Sequence, residues 1–208
     1  MRPDEARGPG GKPLRMQRPH RSKLPPGEVR LIGGRLKRSK LPVPDHPGLR
    51  PTPDRVRETL FNWLGQNLNG CHCLDAFAGT GALGLEAASR GADNVTLIES
   101  DAGLVKRLQD TCQKLSAAHV QVLRGDGVAA MKRMSPASQD LVFLDPPFDA
   151  DLFDSALAAA RALLRPQGKV YLEAPELWSD ERLRPSGLVV LKQLKAGAVF
   201  AHLLTIVP

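Results

Sequence analysis

Cysteine is scarce in this 208-residue chain, long apolar runs are missing, and acidic residues are sparse in its first quarter. Cys71, Cys73 and Cys112 form no Cys-x-x-Cys pair and leave an odd count, which excludes a disulfide-stapled framework and points to a reducing cytoplasm. Cys71-His72-Cys73 is followed by no second ligand pair, and strand alternation sends His72 to the face opposite the cysteines, so no metal site is expected. No apolar run approaches the ~20 residues that span a bilayer, and residues 1–27 lack the apolar stretch of a secretory leader, so no membrane partner is expected. The missing acids matter most. Residues 1–50 carry 13 Lys+Arg against 4 Asp+Glu, whereas residues 51–208 carry 16 against 18. All of the excess positive charge sits in one arm, which fits a polyanionic partner held through phosphate contacts.

What is present is 42% hydrophobic, enough for one packed domain. Three segments are expected. Residues 1–27, rich in Pro, Gly and cations, form a disordered basic tail. Residues 28–69 form a basic extension: two short strands joined at Gly33-Gly34, then a helix with Thr52 as N-cap and Pro53 at its first position. Residues 70–208 alternate strand and helix. The strands are 72–77, 94–98, 120–123, 141–144 and 168–172, and the helices are 82–89, 102–115, 128–134 and 152–164. Residues 187–194 and 198–207 then form a terminal antiparallel hairpin. The fold class is α/β, a mostly parallel seven-stranded sheet closed by that hairpin, which is the Rossmann-like architecture of class I S-adenosylmethionine-dependent methyltransferases.

Asp145-Pro146-Pro147-Phe148 follows the apolar strand 141–144. The two prolines lack N–H donors and cannot extend the strand. They fix a carboxylate, two carbonyls and an aromatic ring at the strand's carboxyl end, the edge where open α/β sheets bind ligands. A carboxylate and a proline carbonyl can accept N–H bonds from an exocyclic amine while the ring stacks on a flat base. The tetrapeptide is the (Asp/Asn/Ser)-Pro-Pro-(Tyr/Phe/Trp) signature of amino-group methyltransferases, although a plain strand-ending turn would use the same residues.

Upstream, Leu74 to Gly84 places Gly79, Gly81 and Gly84 in a G-x-G-x-x-G pattern, with Glu99 twenty residues beyond Gly79. Such a turn brings backbone close to a ligand, and the acid accepts from ribose hydroxyls. The pattern admits a dinucleotide. Two features favour S-adenosylmethionine: Asp75 lies just before the glycines, where it can meet an amino group, and residues 74–89 contain no Lys or Arg to neutralise a pyrophosphate. Asp126 is placed to accept from an adenine amine or to cap a helix.

The chain resembles the RsmD-type family of guanine-N2 methyltransferases of small-subunit (16S) ribosomal RNA. The resemblance rests on Arg30-Leu-Ile-Gly-Gly34, Leu49-Arg50-Pro51-Thr52, Arg55-Val56-Arg57-Glu58, the glycine-rich segment from Leu74 to Gly81, Glu99-Ser100-Asp101, Gly125-Asp126 and Asp145–Phe148, over roughly residues 29–205. It implies methyl transfer from S-adenosylmethionine, with Asp145, Pro146, Pro147 and Phe148 at the target base. The cofactor would lie against Asp75, Phe77, Ala78, Gly79, Thr80, Gly81, Glu99, Ser100, Asp126 and Gly127. The RNA would be gripped by Arg30, Arg35, Lys37, Arg38, Lys40, Arg50, Thr52 and Arg55. The implied partner is ribosomal RNA within an assembling or assembled small subunit, and a monomer is expected. The competing readings are an adenine-N6 nucleic-acid methyltransferase, a dinucleotide-dependent oxidoreductase and a non-catalytic RNA-binding module.

Overall fold

In the computed structural model, residues 27–46, 49, 52–148 and 150–207 are described. The expected tail, Gly27 apart, and Arg50 lie outside them. Parallel pairing dominates the sheet, whose strands are β3 (His72–Asp75), β4 (Asn94–Glu99), β5 (Val120–Arg124), β6 (Gln139–Leu144), β7 (Leu164–Ala174), β8 (Leu188–Ala196) and β9 (Val199–Ile206). They are ordered β5-β4-β3-β6-β7-β9-β8, with β9 antiparallel to both of its neighbours. The chain runs outward from β3 in one direction, then returns to place β6 on its other side. Ligands of open α/β sheets bind at that reversal, beyond the strands' carboxyl ends.

Strand alternation divides the core into two layers. Leu141 and Phe143 of β6, with Cys73 and Tyr171, enter one apolar cluster; Val142 and Leu144, with Leu74, Val170 and Leu172, enter the other. Helices α2 (Ala82–Ser89), α3 (Ala102–Lys114), α4 (Gly127–Met131) and α5 (Phe153–Leu163) connect the parallel strands. A short helix α6 (Asp180–Leu183), N-capped by Ser179 and followed by a 3-10 turn at Arg184–Ser186, was not expected from the sequence.

The N-terminal extension differs from expectation in two ways. Strands β1 (Gly27–Arg30) and β2 (Lys40–Val43) pair antiparallel, but Gly33-Gly34 is not their turn. The connection runs from Leu31 to Ser39 and is closed by Leu31 N–H on Ser39 O (3.0 Å) and Arg38 N–H on Leu31 O (2.8 Å). The glycines instead dock on the end of α2. A Cβ on Gly34 would collide with the Ser89 carbonyl oxygen, and Gly34 has φ +69°. The second difference concerns α1 (Asp54–Leu64), in which Thr52 is not the N-cap. Pro53 holds that position without a side-chain bond, and the Thr52 hydroxyl is engaged elsewhere. Val29, Leu31, Leu36 and Leu41 join the same apolar cluster as Leu85, Leu97 and Phe143, so extension and sheet share one core.

Candidate functional site

A buried charge cluster pins the extension to the sheet. The Glu86 carboxylate, fully buried in α2, accepts from the Ile32 and Gly33 amides at 2.8 and 2.7 Å and from Arg90 Nε at 2.9 Å. Arg57, fully buried in α1, approaches Glu86 at 3.5 Å, binds Asp54 at 2.6 Å and donates to Arg30 O at 2.9 Å. The sequence motifs assign a role to neither Glu86 nor Arg57. The signal was present in α2, a uniformly buried helix containing one glutamate that needs partners.

At the carboxyl edge, β3 ends in Asp75. Its Oδ2 accepts from the Gly84 amide at 3.1 Å, and a Cβ on Gly84 would collide with Leu97, so the third glycine lets α2 close on the strand. Burial pushes the Asp75 carboxyl up to about 7; the Gly84 and Phe77 amides oppose this, while Glu99 and Glu173 add to it. Gly81 takes the left-handed conformation at the start of α2. The Gly79 amide donates to Glu99 Oε2 at 2.9 Å, and the Asp101 amide donates to Glu99 Oε1 at 2.8 Å. Glu99, at the end of β4, thus ties the glycine loop to the turn before α3. Ser100 Oγ lies 3.3 Å from Glu99 Oε1 and is exposed.

Asp126 caps α4, accepting from the Ala129 amide at 2.7 Å, and remains exposed. Gly127 is buried, and a Cβ there would collide with Ala76 O, so this corner also requires close backbone approach. Phe77, Gly79 and Thr80 are partly exposed, whereas Ala78 and Gly81 are buried. Leu49 Cδ1 lies 2.9 Å from where a Gly79 Cβ would be, so the segment before α1 reaches across the loop. Pro42 and Pro44 with Gly79, Thr80, Leu104, Arg107, Leu108 and Thr111 enclose about 10 Å³ there, which brings one cation from α3 to the outer side of the loop.

Beyond β6, Asp145 is partly exposed, Pro146 is buried, and Pro147 and Phe148 are exposed, Phe148 by 41%. Desolvation, with Glu173 and Asp75 nearby, holds the Asp145 carboxyl well above the usual carboxylate range. Phe148 lies 6.3 Å from Phe153, which lies 5.6 Å from Trp178, and the Arg182 guanidinium covers Trp178 at 4.4 Å. Trp178 is buried, and its backbone amide donates to the buried His202 ring at 3.1 Å. Of the residues expected to grip RNA, Arg30, Arg35, Lys37, Arg38 and Arg55 are exposed; Lys40 is exposed but paired with Glu28 at 2.8 Å. Thr52 departs from this set because it is buried and bonds Glu173. His72 lies 3.4 Å from Arg165. Among the described residues no group of three His, Cys, Asp or Glu side chains could hold a metal ion, and no helix is long and apolar enough to cross a membrane.

The acids at this edge fit a cationic cofactor. Asp75 is raised because burial outweighs its hydrogen bonds, and Asp145 because burial is joined by the like charges of Glu173 and Asp75; a nearby positive charge would relieve that cost.

The protein family described as Conserved hypothetical protein 95 matches residues 29–205. The chain is 40% identical over 177 residues to ribosomal RNA small subunit methyltransferase D of Escherichia coli, covering 80% of this chain and 89% of that protein. It is 39% identical over 180 residues to the Haemophilus influenzae protein of the same name, covering 83% and 91%. The solved Escherichia coli protein yhhF superposes with a TM-score of 0.76 at 34% identity, covering 86% of this chain and 98% of that one. With its Rossmann-like class I methyltransferase sheet, the chain belongs to this family, the RsmD type.

Proposed function

We propose that this protein transfers a methyl group from S-adenosylmethionine to the N2 amine of a guanine in small-subunit ribosomal RNA. The observation that carries this reading is the placement of Asp145–Phe148 beside the acid-lined glycine loop, in a chain whose relatives are named as small-subunit ribosomal RNA methyltransferases. Asp75 would hold the amino group of the methionine part and Glu99 the ribose hydroxyls. Asp126 would accept from the adenine amine with the face that its helix-capping bond leaves free. Backbone from Phe77 to Gly81, with Ser100 and Gly127, would form the walls. The cofactor supplies a methyl group on a cationic sulfur.

The protein's own contribution is placement. Asp145 and the Pro146 carbonyl accept N–H bonds from the amine and turn its lone pair toward the methyl. Pro147 stiffens the corner, and Phe148, 41% exposed and backed by Phe153, stacks on the flipped base. Arg30, Arg35, Lys37, Arg38, Arg50 and Arg55, with Lys40 able to exchange Glu28 for phosphate, position the RNA; the pocket identifies the base. The proposed setting is a cytoplasmic monomer acting on an assembling or assembled small subunit. Calorimetry tests the cofactor: S-adenosylhomocysteine should bind and NAD should not. Binding of NAD without S-adenosylhomocysteine would overturn the reading in favour of a dinucleotide enzyme.

A further inference from the structure

Glu173 has no part in the roles above, yet it is the side chain best placed to act on Asp145. Strands β6 and β7 run parallel with Leu144 opposite Leu172, so Asp145, the first residue past β6, comes beside Glu173, the penultimate residue of β7, at about the 4.8 Å spacing of neighbouring strands. Glu173 is 3% exposed. Its Oε1 accepts two hydroxyl bonds, from Thr52 Oγ1 at 2.5 Å and from Tyr171 Oη at 2.9 Å. The groups facing it are Asp145 beyond β6, Asp75 on β3, Tyr171 on β7 and Thr52 before α1; its partner on β9 is the uncharged Ala201. Three acids thus converge where the amine would sit, and one of them is clamped by a hydroxyl from its own strand and another from a segment 121 residues away.

We propose that Glu173 is a positioning residue of the amine site: its clamped carboxylate orients Asp145 and sets that residue's capacity to take a proton from the target amine. This rests on the amine-methyltransferase reading above. Methylation forms a carbon–nitrogen bond at the amine as the sulfonium–methyl bond breaks with its electron pair left on sulfur, and the nitrogen must then shed one proton. Neighbouring carboxylates resist holding two charges, so the Asp145–Glu173 pair binds a proton more readily than either acid alone. The proton goes to that pair and then to solvent. Thr52 belongs to the segment that leads from the cation-bearing extension into α1, so seating this segment and setting the acid pair are one event.

The test uses the full chain. Glu173→Gln should leave S-adenosylhomocysteine affinity within about twofold while slowing single-turnover methylation on the order of a hundredfold, the scale of acid–base assistance. It should also move the acid limb of the rate profile to lower pH by about one unit, because Asp145 loses a like charge. Thr52→Val should slow turnover and Thr52→Ser restore it; a packing role would rank them the other way, since Val matches Thr in shape. In the unliganded protein, stability should fall less steeply above pH 4 in Glu173→Gln than in the wild type, because the folded Asp145 then binds its proton less tightly. An unmoved acid limb with wild-type rate, or rescue by Val as good as by Ser, would overturn the proposal. Should Glu173→Gln not fold, the Thr52 pair decides. If the wild type modified no guanine, the functional reading would fail, whereas the stability profile would still report on the acid pair.

Discussion

Replacing Asp75 with asparagine should stabilise the protein, and increasingly so as pH rises. The Asp75 carboxyl is 2% exposed and raised from 3.8 to about 7 in the folded chain. The folded state therefore binds this proton more tightly than the unfolded state. Stability from this group is full below about pH 4, declines as pH rises toward 7, and is constant above. A difference of roughly 3 units at about 1.4 kcal/mol each sets a ceiling of ~4 kcal/mol. The amide of Asp75→Asn does not titrate, and its carbonyl can still accept from the Gly84 N–H. The variant should therefore gain on the wild type by about 2–4 kcal/mol between pH 4 and pH 8, or roughly 4–16 °C in Tm for a chain of this size. Urea titrations of both proteins across that range measure it. A cationic amine bound at Asp75 would also lower its pKa, so cofactor binding near pH 7 should release protons in wild type and fewer in the variant, visible in calorimetry across buffers of different ionisation enthalpy. Parallel stability profiles for the two proteins would refute the reasoning, because Asp75 would then be titrating as an ordinary exposed carboxylate.

Four further outcomes are expected. Asp145→Ala should keep the fold and cofactor affinity but lower single-turnover methylation by about a hundredfold or more, comparable to removing one preorganised polar group; near-wild-type rates would exclude Asp145 from the mechanism. Glu86→Ala leaves Arg57 and Arg90 buried without their shared carboxylate and should cost about 3–5 kcal/mol in urea unfolding, whereas a loss below about 1 kcal/mol would show that the extension is held by its apolar contacts alone. Substituting Arg30, Arg35 and Arg38 with Ala should abolish turnover on the ribosomal substrate while S-adenosylhomocysteine still binds. Deleting residues 1–27 should only weaken RNA affinity modestly and flatten its salt dependence, by a log–log slope of about 0.7–0.9 per lost phosphate contact. Filter binding across salt with a methylation assay separates the two, and the reverse ranking would contradict this division of labour.

The sheet and the turn that ends β6 were legible because both depend on short-range rules. The apolar run Leu141–Leu144 predicts a strand buried on both faces, two prolines must end it, and topology places that end at the ligand edge. The spacing from Gly79 to Glu99 similarly survives folding as a hydrogen bond between the two. What escaped is long-range. Glu86 meets Ile32 across 54 residues and Glu173 meets Thr52 across 121, and no local pattern encodes either contact. Thr52-Pro53 carries the composition of a helix cap, but a buried carboxylate competes for the same hydroxyl and takes it. Gly33-Gly34 reads as a hairpin turn, although its role is steric, leaving room for the carbonyl of Ser89 and the guanidinium of Arg90. Glu173 did leave a trace: an acid one residue past the predicted strand 168–172, beside the strand that leads into Asp145.

If this site methylates a guanine amine, the product nucleoside must carry the mark. Small subunits and naked small-subunit RNA from cells lacking the protein should be incubated with it and S-adenosylmethionine, digested to nucleosides and analysed by mass spectrometry against authentic standards. Newly formed N2-methylguanosine should appear and should vanish with Asp145→Ala. N6-methyladenosine as the product, or no methylated nucleoside from either substrate, would contradict this reading.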